Sequence, residues 1–426
     1  MVSAFGPLLV PSVGIRFDQF FTYGLLPIAI GYLCIGRKTL ISQAPAFYVL
    51  FIFSFVTLWT LVVTLGGVPA HVTPSSRTRL NELGSFENYL QIAVLVIILG
   101  IAIKRHGVNN SQLLLDKVGH IFIVLISVNA VIAMSSIFVD TQSFTKYFVQ
   151  DNLGSKLTPF EVSSTIGRFS GIFDVPSAAG MAHSMALLIW TYLVRKKKRT
   201  SLISYLYGAL IILGGAVTIS KTFIFGGLPL FFIYWILPGR ISSRITLKLL
   251  IVLAAIIGTV IVYLDSWIGF DKIVDLFTSS GNYSPQSLLF HFIEIRYGIN
   301  NDFEFSGIFP YLWSVAPVHG LGFAYLGVAD SAYLLYFMEG GLVSLFMYVG
   351  FIAIMLFVGT MEWFKGSETG RLLVVLGLFV LVAGIGAPVV TASRVNVIFW
   401  VILLLIMGVG VARRAEVNRK KTEDIH

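Results

Sequence analysis

Long apolar runs separated by short polar clusters recur from one end of the chain to the other. Crossing a ~30 Å hydrocarbon layer takes about 17 to 25 helical residues. Runs of that order fall at 18–36, 45–66, 89–103, 117–139, 176–194, 201–219, 222–237, 246–264, 333–358, 372–390 and 395–411. The pattern predicts an all-α polytopic membrane protein with about 11 to 12 transmembrane helices, arranged as a single transmembrane domain over 1–426. Internal Gly and Pro do not argue against these spans, since neighbouring helices re-satisfy freed backbone groups. The first sixteen residues, "MVSAFGPLLVPSVGIR", are apolar but short and interrupted by Pro7 and Pro11. A re-entrant piece, an interfacial helix and half of a twelfth span all remain open for them.

Composition agrees with this pattern. The chain has 426 residues, 56% of them hydrophobic and 12% charged, with a mean hydropathy of +0.86. Those values exclude an ordinary water-soluble fold. Lys and Arg set the orientation, because short basic loops stay in the cytoplasm. Arg37 and Lys38, Lys104, Arg105 and Lys117, "RKKKR" at 195–199, Arg240, Arg244 and Lys248, Lys365 and Arg371, and the tail "RRAEVNRKK" all fall on one face of this span order. The C-terminus is therefore expected in the cytoplasm. The loops 140–175 and 265–332 are expected outside, the second as a large periplasmic or extracellular loop. No basic n-region with a small-residue cleavage site opens the chain, so a removable signal peptide is not expected. The single cysteine, Cys34, lies inside the first span and does not report on redox compartment.

Few patterns for known chemistry are present. "GGAVTISKT" lacks the glycine directly before lysine that a phosphate-cradling loop needs, so ATP use is not expected. No HExxH or CxxC occurs, and the pair Asp302 and Glu304 in "NDFEF" is weak support for a metal; none is expected. The outer face is more informative, since cations are depleted there by the orientation rule. Arg168 in "GRFSGIFDVPSAAG", Lys221 in "TISKTFIFGG", Arg296 in "HFIEIRYGINN" and Arg394 in "TASRVNVIFW" are isolated cations at turns near membrane depth. Such charges are costly unless something anionic meets them. Snorkelling, or an ion pair with a neighbour such as Asp174 or Glu161, accounts for each one singly. Together they suit a pyrophosphate, whose oxygens a guanidinium binds bidentately while staying charged.

Three stretches carry a family resemblance. "RFSGIFDVPSAAG" is similar to the Arg-x-Ser/Thr-Gly-x-Phe-x-x-Pro signature of the O-antigen polymerase and O-antigen ligase superfamily, with Val-Pro where Asn-Pro is usual. "SKTFIFGG" resembles that family's Ser-Arg/Lys-Ser/Thr element opening a short helix. "HGLGFAYLGVADSAYLLYFMEGGLVSLFMY" is similar to the end of its large periplasmic loop. The resemblance covers roughly residues 89–411 and leans to the polymerase branch, because Asp330 stands where the ligase branch typically has His.

The resemblance implies a C-type (GT-C-like) glycosyltransferase fold in the bacterial inner membrane. It implies polymerisation of polyprenyl-pyrophosphate-linked oligosaccharide repeat units into a surface polysaccharide at the outer leaflet, without metal or other cofactor. The partners expected are that lipid-linked oligosaccharide, membrane lipid, and flippase and chain-length regulator proteins; nucleic acid is not expected. Arg168, Arg296, Lys221 and Arg394 are the candidate pyrophosphate ligands. Asp330 is the first candidate for the base that takes the acceptor hydroxyl's proton, with Glu294 and His319 behind it. An N-cap on the following apolar helix is the other reading of Asp330. Two rival functions stand beside the polymerase. A ligase of the same superfamily would move finished glycan to another acceptor, and a lipid-linked oligosaccharide flippase would show two related halves with mid-membrane binding groups. No half-to-half similarity is visible in the sequence.

Overall fold

The computed structural model describes residues 1–10, 15–34, 84–148, 167–196, 201–237, 331–392 and 394–423. The expected spans 45–66 and 246–264 lie outside these residues, as does the large loop up to Asp330. The described chain is predominantly helical. Among the described residues, three stretches, Ser111–Ser135, Pro176–Lys196 and Val343–Phe364, are long and apolar enough to cross a membrane. The chain divides into two compact units: residues 1–54, 88–235 and 351–426 form one, and 55–87 with 236–350 form the other.

In the first unit, the described residues 1–10 and 15–16 do not form a span. Val2–Phe5 makes one 3-10 turn, and β1 (Leu8–Val10) pairs antiparallel with β2 (Ile15–Arg16). Helix α1 (Phe17–Gly24) follows, breaks at Leu25, and continues as α2 (Leu26–Cys34), so the first expected span holds two short helices. The Gln19 side-chain Oε1 accepts from the Arg16 backbone N–H at 2.8 Å, which meets one of the unpaired donors that open a helix. The N-terminal segment seals one end of the unit. Phe5 packs against Phe122 and Phe173 at 6.3 and 5.9 Å between ring centroids, and the Leu8 N–H donates to Tyr147 O at 2.8 Å.

Helix α3 (Gly84–Ser135) reads as 52 continuous residues, where two spans and a basic turn are expected. Its contacts require it to double back. Gln91 donates to Asp18 at 2.9 Å and accepts from Asn396 at 3.3 Å, whereas Asn129 accepts from the Ile172 N–H at 2.9 Å. In a straight helix Gln91 and Asn129 would stand ~57 Å apart. Yet Arg394, two residues from Asn396, lies 4.0 Å from Asp174, two residues from Ile172. Gln91 and Asn129 thus sit at the same end of the unit. Between them Gln112 and Asp116 reach the opposite end, where Gln112 donates to the Tyr192 hydroxyl and Asp116 pairs with Lys196. The stretches expected as two spans form the arms of one folded helix; the second arm, Ser111–Ser135, is long and apolar enough to cross a membrane, and the first holds the shorter apolar stretch Leu90–Leu99.

The second arm runs antiparallel to α4 (Pro176–Lys196), with Asp116 beside Lys196 and Asn129 beside His183. Pro176 opens α4, where a missing N–H costs no helical bond. Helix α5 (Leu202–Val217) is capped by Ser201, whose hydroxyl accepts from the Ser204 N–H at 3.3 Å, and it returns along α4 to bring Ile211 O within 3.1 Å of His183 Nδ1. A π turn over Thr222–Gly227 then leads into α6 (Leu228–Ile236). Hydroxyls inside these helices bond back to the preceding turn, Ser127 to Ile123 O and Thr191 to Leu187 O, which satisfies them within the apolar layer.

Among the described residues that follow are the helices α7 (Ala332–Phe364), α8 (Glu368–Ala383) and α9 (Val395–Glu423). At the end of the unit carrying Lys196, Glu368 ties three helices together. It pairs with Arg195 at 3.2 Å and Arg371 at 3.0 Å, and accepts from the Tyr234 hydroxyl at 3.1 Å. Arg195 also donates to the carbonyls of Tyr234 and Trp235, closing the last turn of α6.

The part of the second unit that is described lies mainly in the first turns of α7. Tyr336 stacks on Tyr348 with ring centroids 4.4 Å apart, and Tyr333 meets the same ring edge-on at 5.5 Å. Twelve residues of straight helix would separate Tyr336 from Tyr348 by ~18 Å along the axis. The helix therefore bends sharply between them, in the stretch that holds Gly340 and Gly341, a known place for kinks.

Candidate functional site

The end of the first unit that holds Asn129 gathers the Arg168 turn, the Lys221 turn and the Arg394 turn. The Arg168 turn, residues 167–175, is shaped by two glycines. Gly167 and Gly171 take φ of 74° and 64°, values that glycine adopts without the Cβ penalty of other residues. At Gly171 a Cβ would also sit 2.2 Å from Asn129 Oδ1. The start of this turn is tied to the end of α5: the Phe169 N–H donates to Val217 O at 3.2 Å, and Arg168 Nε donates to Thr218 O at 3.5 Å. The rest of the Arg168 side chain stays half-buried.

The Lys221 turn is tightly built. Thr218 is buried and its hydroxyl donates to Gly215 O at 2.6 Å, and Ile219 takes the uncommon φ of 46°. Ser220 and Thr222 share a buried hydroxyl contact at 2.7 Å, and the Ser220 carbonyl receives the N–H groups of Phe223 and Ile224. Between these buried hydroxyls Lys221 is exposed, so the turn presents an ammonium on a rigid mount. The turn rests on the first turns of α4, where a Cβ at Gly180 would lie 2.3 Å from Ser220. Close backbone approach through small residues is how membrane helices pack.

Arg394 sits differently. It is 1% exposed and has φ of 62°. Its Nη1 donates to Ala4 O at 3.3 Å and Gly6 O at 3.0 Å, its Nη2 donates to Phe148 O, and its Nε lies 4.0 Å from Asp174. Burial lowers its pKa and Asp174 and Asp18 oppose that shift, while an arginine remains charged throughout. The terminal nitrogens of this guanidinium bind backbone carbonyls of two segments, and the ion pair with Asp174 foreseen as one alternative is formed here.

Of the candidate residues, Arg168 and Lys221 are thus brought to one pair of abutting turns, and Arg394 supports the same end from inside. Asp330, Glu294, His319 and Arg296 lie outside the described residues, as does the Asp302 and Glu304 pair. Ser331, directly after Asp330, is buried at the start of α7. Among the described residues, no group of three or more His, Cys, Asp or Glu could hold a metal ion.

Sequence reading passed over Asn129 and His183, which sit in the middle of apolar runs. Asn129 is 1% exposed and bonds the Arg168 turn at two points, Ile172 N at 2.9 Å and Ser170 O at 3.4 Å. The signal available was a lone amide and a lone imidazole inside spans, which membrane helices carry only when a partner meets them. No family model matches the chain, and no curated protein does.

Proposed function

We propose that the chain is a metal-independent glycosyltransferase that joins polyprenyl-pyrophosphate-linked oligosaccharide repeat units into a surface polysaccharide at the outer leaflet of the bacterial inner membrane. One observation supports this reading above others. The Arg168 turn and the Lys221 turn, the two motifs of the family resemblance that the described residues include, abut through the bonds of Phe169 to Val217 and Arg168 to Thr218. Two cations that the sequence separates by some fifty residues share one end of one unit. Such a pair suits a dianionic leaving group better than either cation alone.

In this reaction a hydroxyl oxygen of the incoming repeat unit attacks the anomeric carbon of the growing glycan. The bond from that carbon to the pyrophosphate oxygen breaks, the electron pair leaves with polyprenyl pyrophosphate, and the hydroxyl proton passes to a base. Asp330 is the base in this scheme, with Glu294 and His319 as the other candidates. Arg168 and Lys221 stabilise the charge that grows on the pyrophosphate, together with Arg296 of the large loop. Donors already in place for developing charge lower a barrier most where water is excluded. Arg394, with its Nη donors on carbonyls, acts in this scheme as a strut that holds the Arg168 end of the unit. The leaving group is itself activated, so the transfer needs no nucleotide.

Deleting the gene and sizing the surface glycan tests the reading. Single repeat units without long chains are the expected result. Loss of all surface repeat units would point to a flippase, and long free polymer that is never transferred to its anchor would point to a ligase.

A further inference from the structure

Asn129 faces three groups at once. Its Oδ1 accepts from the Ile172 N–H at 2.9 Å, its Nδ2 donates to Ser170 O at 3.4 Å, and the same Nδ2 lies 3.3 Å from His183 Nε2. His183 is fully buried, and its Nδ1 lies 3.1 Å from Ile211 O. A carbonyl only accepts, so Nδ1 carries the proton, and the neutral ring then offers Nε2 as an acceptor. That assignment fixes the amide. Nδ2 must face the imidazole, which leaves Oδ1 for the Ile172 N–H. The carbonyl of Ile211 in α5 thereby sets, through His183 and Asn129, the position of the turn that begins at Arg168.

Two glycines leave this chain of bonds no room to shift. A Cβ at Gly171 would stand 2.2 Å from Asn129 Oδ1, and a Cβ at Gly214 would stand 2.4 Å from Ala130 Cβ and 2.6 Å from His183 Cε1. The turn is thus held on both sides, by Asn129 along its middle and by Val217 and Thr218 at its start.

We propose that Asn129 and His183 are positioning residues that fix the Arg168 guanidinium beside the Lys221 turn; what Arg168 does there rests on the function proposed above. Full-length protein carrying Cys34→Ala and Arg168→Cys has one thiol, and its reaction rate with a membrane-impermeant maleimide in intact cells reads the freedom of the turn without reference to catalysis. Losing one buried bond of ordinary strength should raise that rate about fivefold in Asn129→Ala. His183→Leu fills the same space without a polar atom and should raise it equally, whereas His183→Gln can still accept from Asn129 Nδ2 and should stay near the parent rate. The His183 pair keeps the test decisive should Asn129→Ala fail to accumulate. Equal rates in the Leu and Gln variants, or no change in any variant, would overturn the proposal. In polymer assays on the chain with Arg168 intact, Asn129→Ala should slow elongation about fivefold yet add nothing to Arg168→Ala. If Arg168→Ala itself makes long polymer, the pyrophosphate role falls while the labelling result still decides the positioning role.

Discussion

Arg394 and Asp174 meet at 4.0 Å, and the same guanidinium bonds the carbonyls of Ala4, Gly6 and Phe148. Residues from three other stretches of the chain therefore depend on one side chain. Truncating it to Ala leaves one buried and two part-buried carbonyls without this donor, and a buried polar group left unpaired costs roughly 1–3 kcal/mol. Arg394→Ala is expected to lose about 2–4 kcal/mol of stability, visible as a lowered midpoint of thermal unfolding in detergent. Arg394→Lys, which cannot reach several carbonyls in a planar fork, should fall between the two.

Arg168→Ala and Lys221→Ala should behave in the opposite way. Arg168 is half-buried with one long bond to Thr218 O and Lys221 is exposed, so both variants should accumulate in the membrane and unfold within about 1 kcal/mol of the parent. Under the proposed reaction each should slow elongation by about 10²- to 10³-fold, the usual cost of one donor to a developing charge. Arg168→Lys should recover part of the rate. Normal-length polymer from Arg168→Ala would remove the pyrophosphate from its role.

Asp330 can be tested through chemistry alone. An N-cap tolerates Asn about as well as Asp, because either side chain accepts from the first free N–H groups. A base does not tolerate the change, since an amide takes no proton at neutral pH. Both Asp330→Asn and Asp330→Ala are expected to lose elongation; activity retained by Asn alone would make the residue a cap.

Close packing at the Lys221 turn gives a stability test that is independent of function. A Cβ at Gly180 would fall 2.3 Å from Ser220, whereas one at Gly386 meets nothing within 4 Å. Gly180→Ala should cost about 1–3 kcal/mol and Gly386→Ala close to nothing, compared by unfolding midpoints of the purified proteins.

Much of the helical order was legible from hydropathy. The spans expected at 176–194 and 201–219 are α4 and α5, within two residues at each end. A window of apolar residues locates a helix because burial in lipid demands internal backbone bonding, whatever the neighbours are. It does not report bends, so the expected spans at 89–103 and 117–139 appear as arms of one folded helix, and the break at Leu25 passed unseen. The N-terminal hairpin was out of reach for a related reason: Leu8 and Gly6 are held by Tyr147 and Arg394, partners far away in sequence. The cations Arg168 and Lys221 stood out because the orientation rule makes such residues rare on that face. Asn129 and His183 did not, since only the three-dimensional partner tells a positioning amide from a solitary one.

The bend between Tyr336 and Tyr348 changes how much of α7 counts as crossing. All 33 residues in a line would measure ~50 Å, well beyond a ~30 Å layer. The 22 residues from Val343 measure ~33 Å and match it. The first turns are thus a side arm and add nothing to the height of the rod. Ser331 and Ala332, buried where that arm begins, therefore add no length to the segment that is long enough to cross.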